Sequence, residues 1–204
     1  MPKTGGRFIR HMFDQMHPDG REERHQFKHR VFEVDVPTYF IVRSPLSWYN
    51  SWISFLRYGS EKERNSTWCP IAKTLSEHSM LSPQNYLKVC FGENREIRKI
   101  VSEQEYNSQH NHYNHFINWA KSDCNEDLYT WFINYYSPGC TPIRHSDLSS
   151  AVIALSKKYD QPLVKDLDIY DKISVTKGKV EFSDDWKERL GNMKTLECVN
   201  VEDI

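Results

Sequence analysis

Long apolar runs are missing from this 204-residue chain. The longest are only a few residues, against the ~20 that a membrane-spanning helix needs. No charged-then-apolar leader opens it, which argues against a Sec-type signal. A surplus of one charge is missing too: 27 Lys and Arg face 28 Asp and Glu, for a net charge of -1. A general nucleic-acid coat needs a basic surplus, so that class is excluded, although a local basic pocket for a small anion is not. Cysteine is sparse: Cys69, Cys90, Cys124, Cys140 and Cys198 are odd in number, scattered and never spaced as CxxC. That is a poor zinc framework and a poor disulfide framework, and it points to free thiols in a reducing, cytoplasmic setting. Internal repeats and low-complexity tracts are absent. With 38% hydrophobic and 13% aromatic residues, the chain is neither disordered nor collagen-like nor a coiled coil.

What remains suits one ordinary domain over 1–204, although the length also admits two small ones. Phe8, Ile9, Met12 and Phe13 fall on one helical stripe, and His17, Pro18 and Gly20 mark a turn. Residues 31–34 and 36–42 read as strands, with Tyr39-Phe40-Ile41-Val42 suited to burial on both faces. Ser44-Pro45 then opens a helix over 45–58, with Leu46, Tyr49, Trp52, Ile53 and Leu56 on one face. A long loop or lid is expected over 59–80 and a short strand over 84–91. Helices are expected over 112–120, 125–136 and 146–158, with Gly139 and Pro142 before the last, and over 183–194 with Ser183 as cap. Alternating strand and helix signals favour an α/β sheet flanked by helices.

Two short motifs carry chemistry. In Pro2-Lys3-Thr4-Gly5-Gly6, two glycines let the backbone curl closely around an anion. The helix that follows points its first N–H groups at that anion. Lys3 supplies a point charge and Thr4 a hydroxyl. The Walker A pattern, with Lys near its end, is absent, so this is not a standard NTPase loop. The second motif is Val42-Arg43-Ser44-Pro45, with Ser51 eight residues after Arg43. Arg43 falls at the carboxyl end of a strand, where open α/β sheets bind ligands. Ser51, two turns into the next helix, can close with it on one phosphate, Arg donating as a fork. An ordinary strand-to-helix turn whose Arg pairs with a carboxylate is the alternative for this segment alone.

Together the two motifs resemble those of the PAPS-dependent sulfotransferases, PAPS being 3′-phosphoadenosine-5′-phosphosulfate. PKTGG followed by a helix is similar to the family's 5′-phosphosulfate loop, and YFIVRSPLSWYNSW to its 3′-phosphate strand and helix. The likeness is greatest to carbohydrate-type and bacterial or viral members. Ile143-Arg144-His145-Ser146-Asp147-Leu148 resembles the family's Arg-x-Glu-x-Leu stretch before a late helix. Lys177-Gly178-Lys179 resembles its late basic Gly loop over the nucleotide.

The resemblance implies a P-loop-like three-layer α/β fold with a central, mostly parallel sheet. It implies that Lys3 contacts the bridging oxygen of the phosphosulfate, that Thr4, Gly5 and Gly6 bind the 5′-phosphate, and that Arg43 and Ser51 bind the 3′-phosphate. PAPS is then the co-substrate and no metal is required. Sulfuryl transfer to a hydroxyl, on a carbohydrate or a small molecule, is the implied activity. The acceptor pocket is expected in loops over 59–82 and 92–115. Two departures stand out. Arg7 occupies the place where the family has Thr or Ser, and can bind phosphate instead or mark lost activity. The strand that the family sets before its first loop would precede Met1, so either this sequence starts after it or another segment fills that position.

An acceptor hydroxyl needs a base. The family's base lies between the two phosphate motifs, where His17, Glu22, Glu23, His25, His29 and Glu33 stand. His25 ranks first and His29 second; the bland alternative is a charged, solvent-facing turn. Other signals are set aside. His110, His112 and His115 lack a Cys or carboxylate at ligand spacing and read as a polar loop entering a helix. Tyr129, Trp131, Phe132, Tyr135 and Tyr136 can stack sugars but at helical spacing are more often core and flank. A nucleotide-dependent phosphotransferase lacks its GK[ST] and an evident magnesium carboxylate here. A relative that binds nucleotide or glycan without catalysis is the competing class.

Overall fold

A computed structural model describes residues 38–58, 75–80, 82–105, 111–160, 163 and 180–204. Among the described residues the chain is mixed α/β, mostly helical, with one small parallel sheet of two strands. It divides into two compact units. One takes the described residues of 1–44, 136–175 and 195–204, and the other those of 45–135 and 176–194. No helix among the described residues is long and apolar enough to cross a membrane.

The first unit holds the sheet. Strand β1 (Tyr39–Val42) pairs in parallel with β2 (Thr141–Arg144), in the register Tyr39↔Thr141, Phe40↔Pro142, Ile41↔Ile143, Val42↔Arg144. Phe40 and Val42 are buried while Tyr39 and Ile41 are half-buried. Burial of β1 on both faces is therefore corrected: the strand alternates, as a strand with one fully covered face does. No strand was expected over 141–144, where Gly139 and Pro142 read as a break before the next helix, and Pro142 cannot donate to a ladder. β2 tolerates it because Pro142 still accepts, taking the Val199 N–H at 3.0 Å on its carbonyl. A tight turn delivers the chain into β2: Pro138 and Gly139 are its central residues, Cys140 N–H returns to the Ser137 carbonyl at 2.8 Å, and Gly139 has φ +75°. That is the type II pattern, whose third position favours glycine. After β2, a 3-10 turn (His145–Asp147) leads into helix α6 (Leu148–Lys158), which buries Leu148, Ala151 and Val152. The helix was expected from 146, so the turn takes its first two positions. The Tyr39 and Tyr159 hydroxyls meet at 3.0 Å and tie the start of β1 to the end of α6.

The second unit is helical: α1 (Pro45–Tyr58), α2 (Pro83–Cys90), α3 (Arg95–Ser102), α4 (Asn111–Lys121), α5 (Leu128–Tyr136, its last residue in the first unit) and α7 (Asp184–Gly191). α1 has the expected bounds, and Trp48, Tyr49, Trp52 and Ile53 are its buried stripe. The expected strand over 84–91 is instead α2. Ser82 caps it by accepting the Asn85 N–H at 3.3 Å, Pro83 takes the first turn, and Pro83, Tyr86, Leu87 and Cys90 are buried at i, i+3, i+4 and i+7. This is the Ser-Pro start already seen at Ser44-Pro45. Gly92, at φ +72°, then reverses the chain. The expected loop over 92–115 is broken by α3, capped by Asn94, whose Oδ1 accepts the Ile97 N–H at 3.1 Å, and by α4 from Asn111. The loop expected over 59–82 lies largely outside the described residues, and its end is a short helical turn from Leu75, which is buried. α7 is shorter than expected, and the Ser183 side chain makes no capping bond.

Aromatic rings fill this unit. Trp48 stacks on Trp52 at 6.2 Å, and Phe116 on Trp119 at 5.4 Å and on Tyr86 at 6.1 Å. Tyr129, Trp131, Phe132 and Tyr136 are buried and only Tyr135 is exposed, so the 129–136 aromatics are chiefly core. His115 packs edge-on against Phe132 at 5.5 Å. The polar groups buried among these rings are paired. Trp52 Nε1 donates to the Tyr86 hydroxyl. Asp127 precedes α5 and accepts from Tyr129 N at 2.9 Å, Thr130 N at 3.1 Å and Thr130 Oγ1 at 2.5 Å. It also accepts the Tyr49 hydroxyl at 3.2 Å. One carboxylate thus caps α5 and joins it to α1, and burial holds the Tyr49 phenol well above its ordinary pKa. Arg98 does similar work at the end of α4, donating to the carbonyls of Trp119, Ser122 and Cys124 while lying 4.4 Å from the Trp119 ring.

Removing Asp127 takes away a helix cap and the acceptor of the Tyr49 hydroxyl proton. Asp127→Ala is expected to cost about 2–4 kcal/mol in urea unfolding, and Tyr49→Phe about 1 kcal/mol. If the two cost the same, the carboxylate does not organise α5.

Candidate functional site

Parallel strands end on the same edge. Val42↔Arg144 is the last pair of the sheet, so the next residues, Arg43 and His145, both leave it at its carboxyl end. This is the edge where ligands bind in open α/β sheets. Arg43 is half-buried, above a Val42 that is 3% exposed. His145 is half-buried beside it, and its pKa falls from 6.5 to about 4, first because burial disfavours the cation and second because the Arg43 charge repels it. At neutral pH the pair is therefore one fixed cation and one neutral imidazole, which has one N–H to donate and one lone pair to offer.

The turn that carries His145 is held by its own polar groups. Ser146 Oγ donates to Asp147 Oδ1 at 2.8 Å, and Arg144 Nη1 meets Asp147 Oδ2 at 3.4 Å. With Arg144 63% exposed, that ion pair orients the turn more than it stabilises the fold. The C-terminal segment closes the other side of β2 through the Val199–Pro142 bond. That pairing brings Cys198 towards Arg144 and Asp147; burial is the main cause of its raised thiol pKa. The described cysteines, Cys90, Cys124, Cys140 and Cys198, are free thiols. Among the described residues no group of three His, Cys, Asp or Glu could hold a metal ion.

Of the phosphate-binding and catalytic residues expected from the sequence, Arg43 and Ser51 are described. Arg43 has its expected place one residue past β1, in the first unit. Ser51 is half-buried on α1, in the second unit, so its closure with Arg43 on one phosphate rests on sequence spacing alone. Lys3, Thr4, Gly5, Gly6, Arg7, His25, His29, Lys177, Gly178 and Lys179 lie outside the described residues. His145 is the residue that sequence reading passed over. Its signal was present in the Arg144–Leu148 stretch, but without β2 that stretch read only as the approach to a helix. No protein-family model matches the chain, and neither does a curated protein or a solved structure.

The lowered pKa of His145 has a consequence for stability. Between pH 6.5 and about 4 the unfolded chain binds the proton and the folded one does not. Stability is therefore undiminished above 6.5 and is lost as the pH falls towards 4. His145→Gln removes that slope. The gap between wild type and variant in urea unfolding is expected to change by on the order of 1 kcal/mol between pH 7 and 4.5, a half-exposed group being partly screened. A gap independent of pH refutes the neutral imidazole.

Proposed function

We propose that the chain is a PAPS-dependent sulfotransferase, with a P-loop-like three-layer fold, that moves a sulfuryl group from PAPS to a hydroxyl of a carbohydrate or small molecule. The observation that carries this reading is Arg43. It stands one residue past the last pair of a parallel sheet, at the ligand-binding edge, in the segment that resembles the family's 3′-phosphate strand. α1 (Pro45–Tyr58) follows, with Ser51 in its second turn. In this reading Arg43 and Ser51 hold the 3′-phosphate. Thr4, Gly5, Gly6 and Arg7 hold the 5′ side, and Lys177, Gly178 and Lys179 cover the nucleotide. Lys3 neutralises charge on the leaving phosphate, and His25 or His29 takes the acceptor's proton. Such transfer needs mainly positioning and charge stabilisation.

A second reading, binding of nucleotide or glycan without turnover, is favoured by Arg7 standing where the family has Thr or Ser. Turnover with PAPS separates the two.

The nucleotide site is tested by calorimetry. 3′,5′-Adenosine bisphosphate is expected to bind about ten- to a hundredfold more tightly than AMP, the value of one charge-assisted contact. Arg43→Ala should erase the difference, and equal affinities in the wild type refute the assignment of Arg43 and Ser51. For the chemistry, Lys3→Ala is expected to lower kcat far more than nucleotide affinity, since its best contact forms in the transition state. His25→Ala should abolish transfer and leave nucleotide binding within about 1 kcal/mol, because a base touches the acceptor. Wild-type activity should fall on the acid side as His25 gains its proton. An acid limb that His25→Ala and His29→Ala both preserve moves the role to a carboxylate.

A further inference from the structure

His145 belongs to no part of the reading above, yet the register sets it at the same sheet edge as Arg43. We propose that an anion seated at this edge draws a proton onto His145, so that binding of a phosphate-bearing ligand is coupled to proton uptake at this imidazole. The proposal deepens the nucleotide-binding reading and rests on it.

The groups around His145 set the balance. Arg43 follows β1, Arg144 lies in β2, Asp147 completes the turn, and Cys198 stands on the C-terminal segment. Glu202 and Asp203 are exposed on the last 3-10 turn, which packs on α6. α6 carries no ionisable side chain before Lys157 in its last turn, and that end is tied by Tyr159 to the opposite edge of β1. Arg144 and Asp147 pair with each other. Among the described residues Arg43 acts on the imidazole, and its charge repels a proton. A phosphate dianion beside Arg43 more than cancels that repulsion. It also offers an oxygen to a second N–H, which the imidazole acquires only on protonation. The proton comes from solvent, and no bond other than N–H is made. The half-buried setting makes the effect larger than at an open surface, since the charges there are less screened.

Imidazole NMR on the full chain tests this, with the His145 resonance assigned through His145→Gln. Without ligand, His145 is expected to stay largely neutral from pH 8 to 5. With saturating 3′,5′-adenosine bisphosphate its midpoint should rise by at least about one pH unit. Calorimetry in two buffers of different ionisation enthalpy should show the matching proton uptake near pH 5.5, lost in His145→Gln. Nucleotide that binds in the wild type without moving the His145 midpoint overturns the proposal and leaves the nucleotide reading intact. A full uptake retained in His145→Gln does the same, by placing the proton elsewhere. No binding at any pH overturns both.

Discussion

The parallel register of Tyr39–Val42 against Thr141–Arg144 is the constraint on which the candidate site depends. A parallel pair cannot be closed by a hairpin and needs a crossover of a dozen residues or more. Here the crossover runs over residues 43–140, with α1 to α5 lying between the two strands in sequence. A slip of one residue would exchange the faces of β1, exposing Phe40 and Val42. It would also part Arg43 from His145. The electrostatics of the edge, a permanent guanidinium beside an imidazole kept neutral, thus follow from a four-residue pairing.

The helical unit is held in a different way. Its described core is built from large rings, with polar atoms among them paired. Asp127 serves four donors on two helices, Tyr86 takes the Trp52 indole N–H, and Arg98 closes the end of α4. Buried polar groups are costly when unpaired and specifying when paired, so these bonds select one arrangement among the many that interchangeable aromatics allow. At the edge of the same unit, Arg189 lies 4.1 Å from the Phe91 ring and 4.8 Å from Trp186 while pairing with Glu93, which docks α7 beside the turn after α2. Asn50 adds a bond to the Val180 carbonyl at 2.8 Å, anchoring the approach to α7 on α1.

Local signals were legible wherever the chemistry was local. Ser44-Pro45 and the spacing of Tyr49, Trp52 and Ile53 specify α1 without help from distant residues, and Gly139 specifies the turn before β2. The same grammar was present at Ser82-Pro83, but Tyr86, Leu87, Val89 and Phe91 contain enough alternation to imitate a strand. A helical stripe at 83, 86, 87 and 90 and a β alternation share members in so short a window, and the Ser82 cap decides between them. Asn94 decides α3 in the same manner, inside a segment that reads as an acceptor-side loop.

Long-range contacts account for the remainder. Nothing in Thr-Pro-Ile-Arg marks a strand, because a four-residue strand with a proline exists only where partners supply its bonds, here β1 on one side and Val199 on the other. The role of Arg43 as a cation at a strand end could be read from Tyr39–Pro45 alone, since strand, terminus and helix start are all local. His145 could not, because its neutrality comes from burial and from a charge about a hundred residues away in the chain. Sequence carries the pieces that depend on neighbours along the backbone; the pairing of β1 with β2 supplies the neighbours across space, and with them the protonation state of the site.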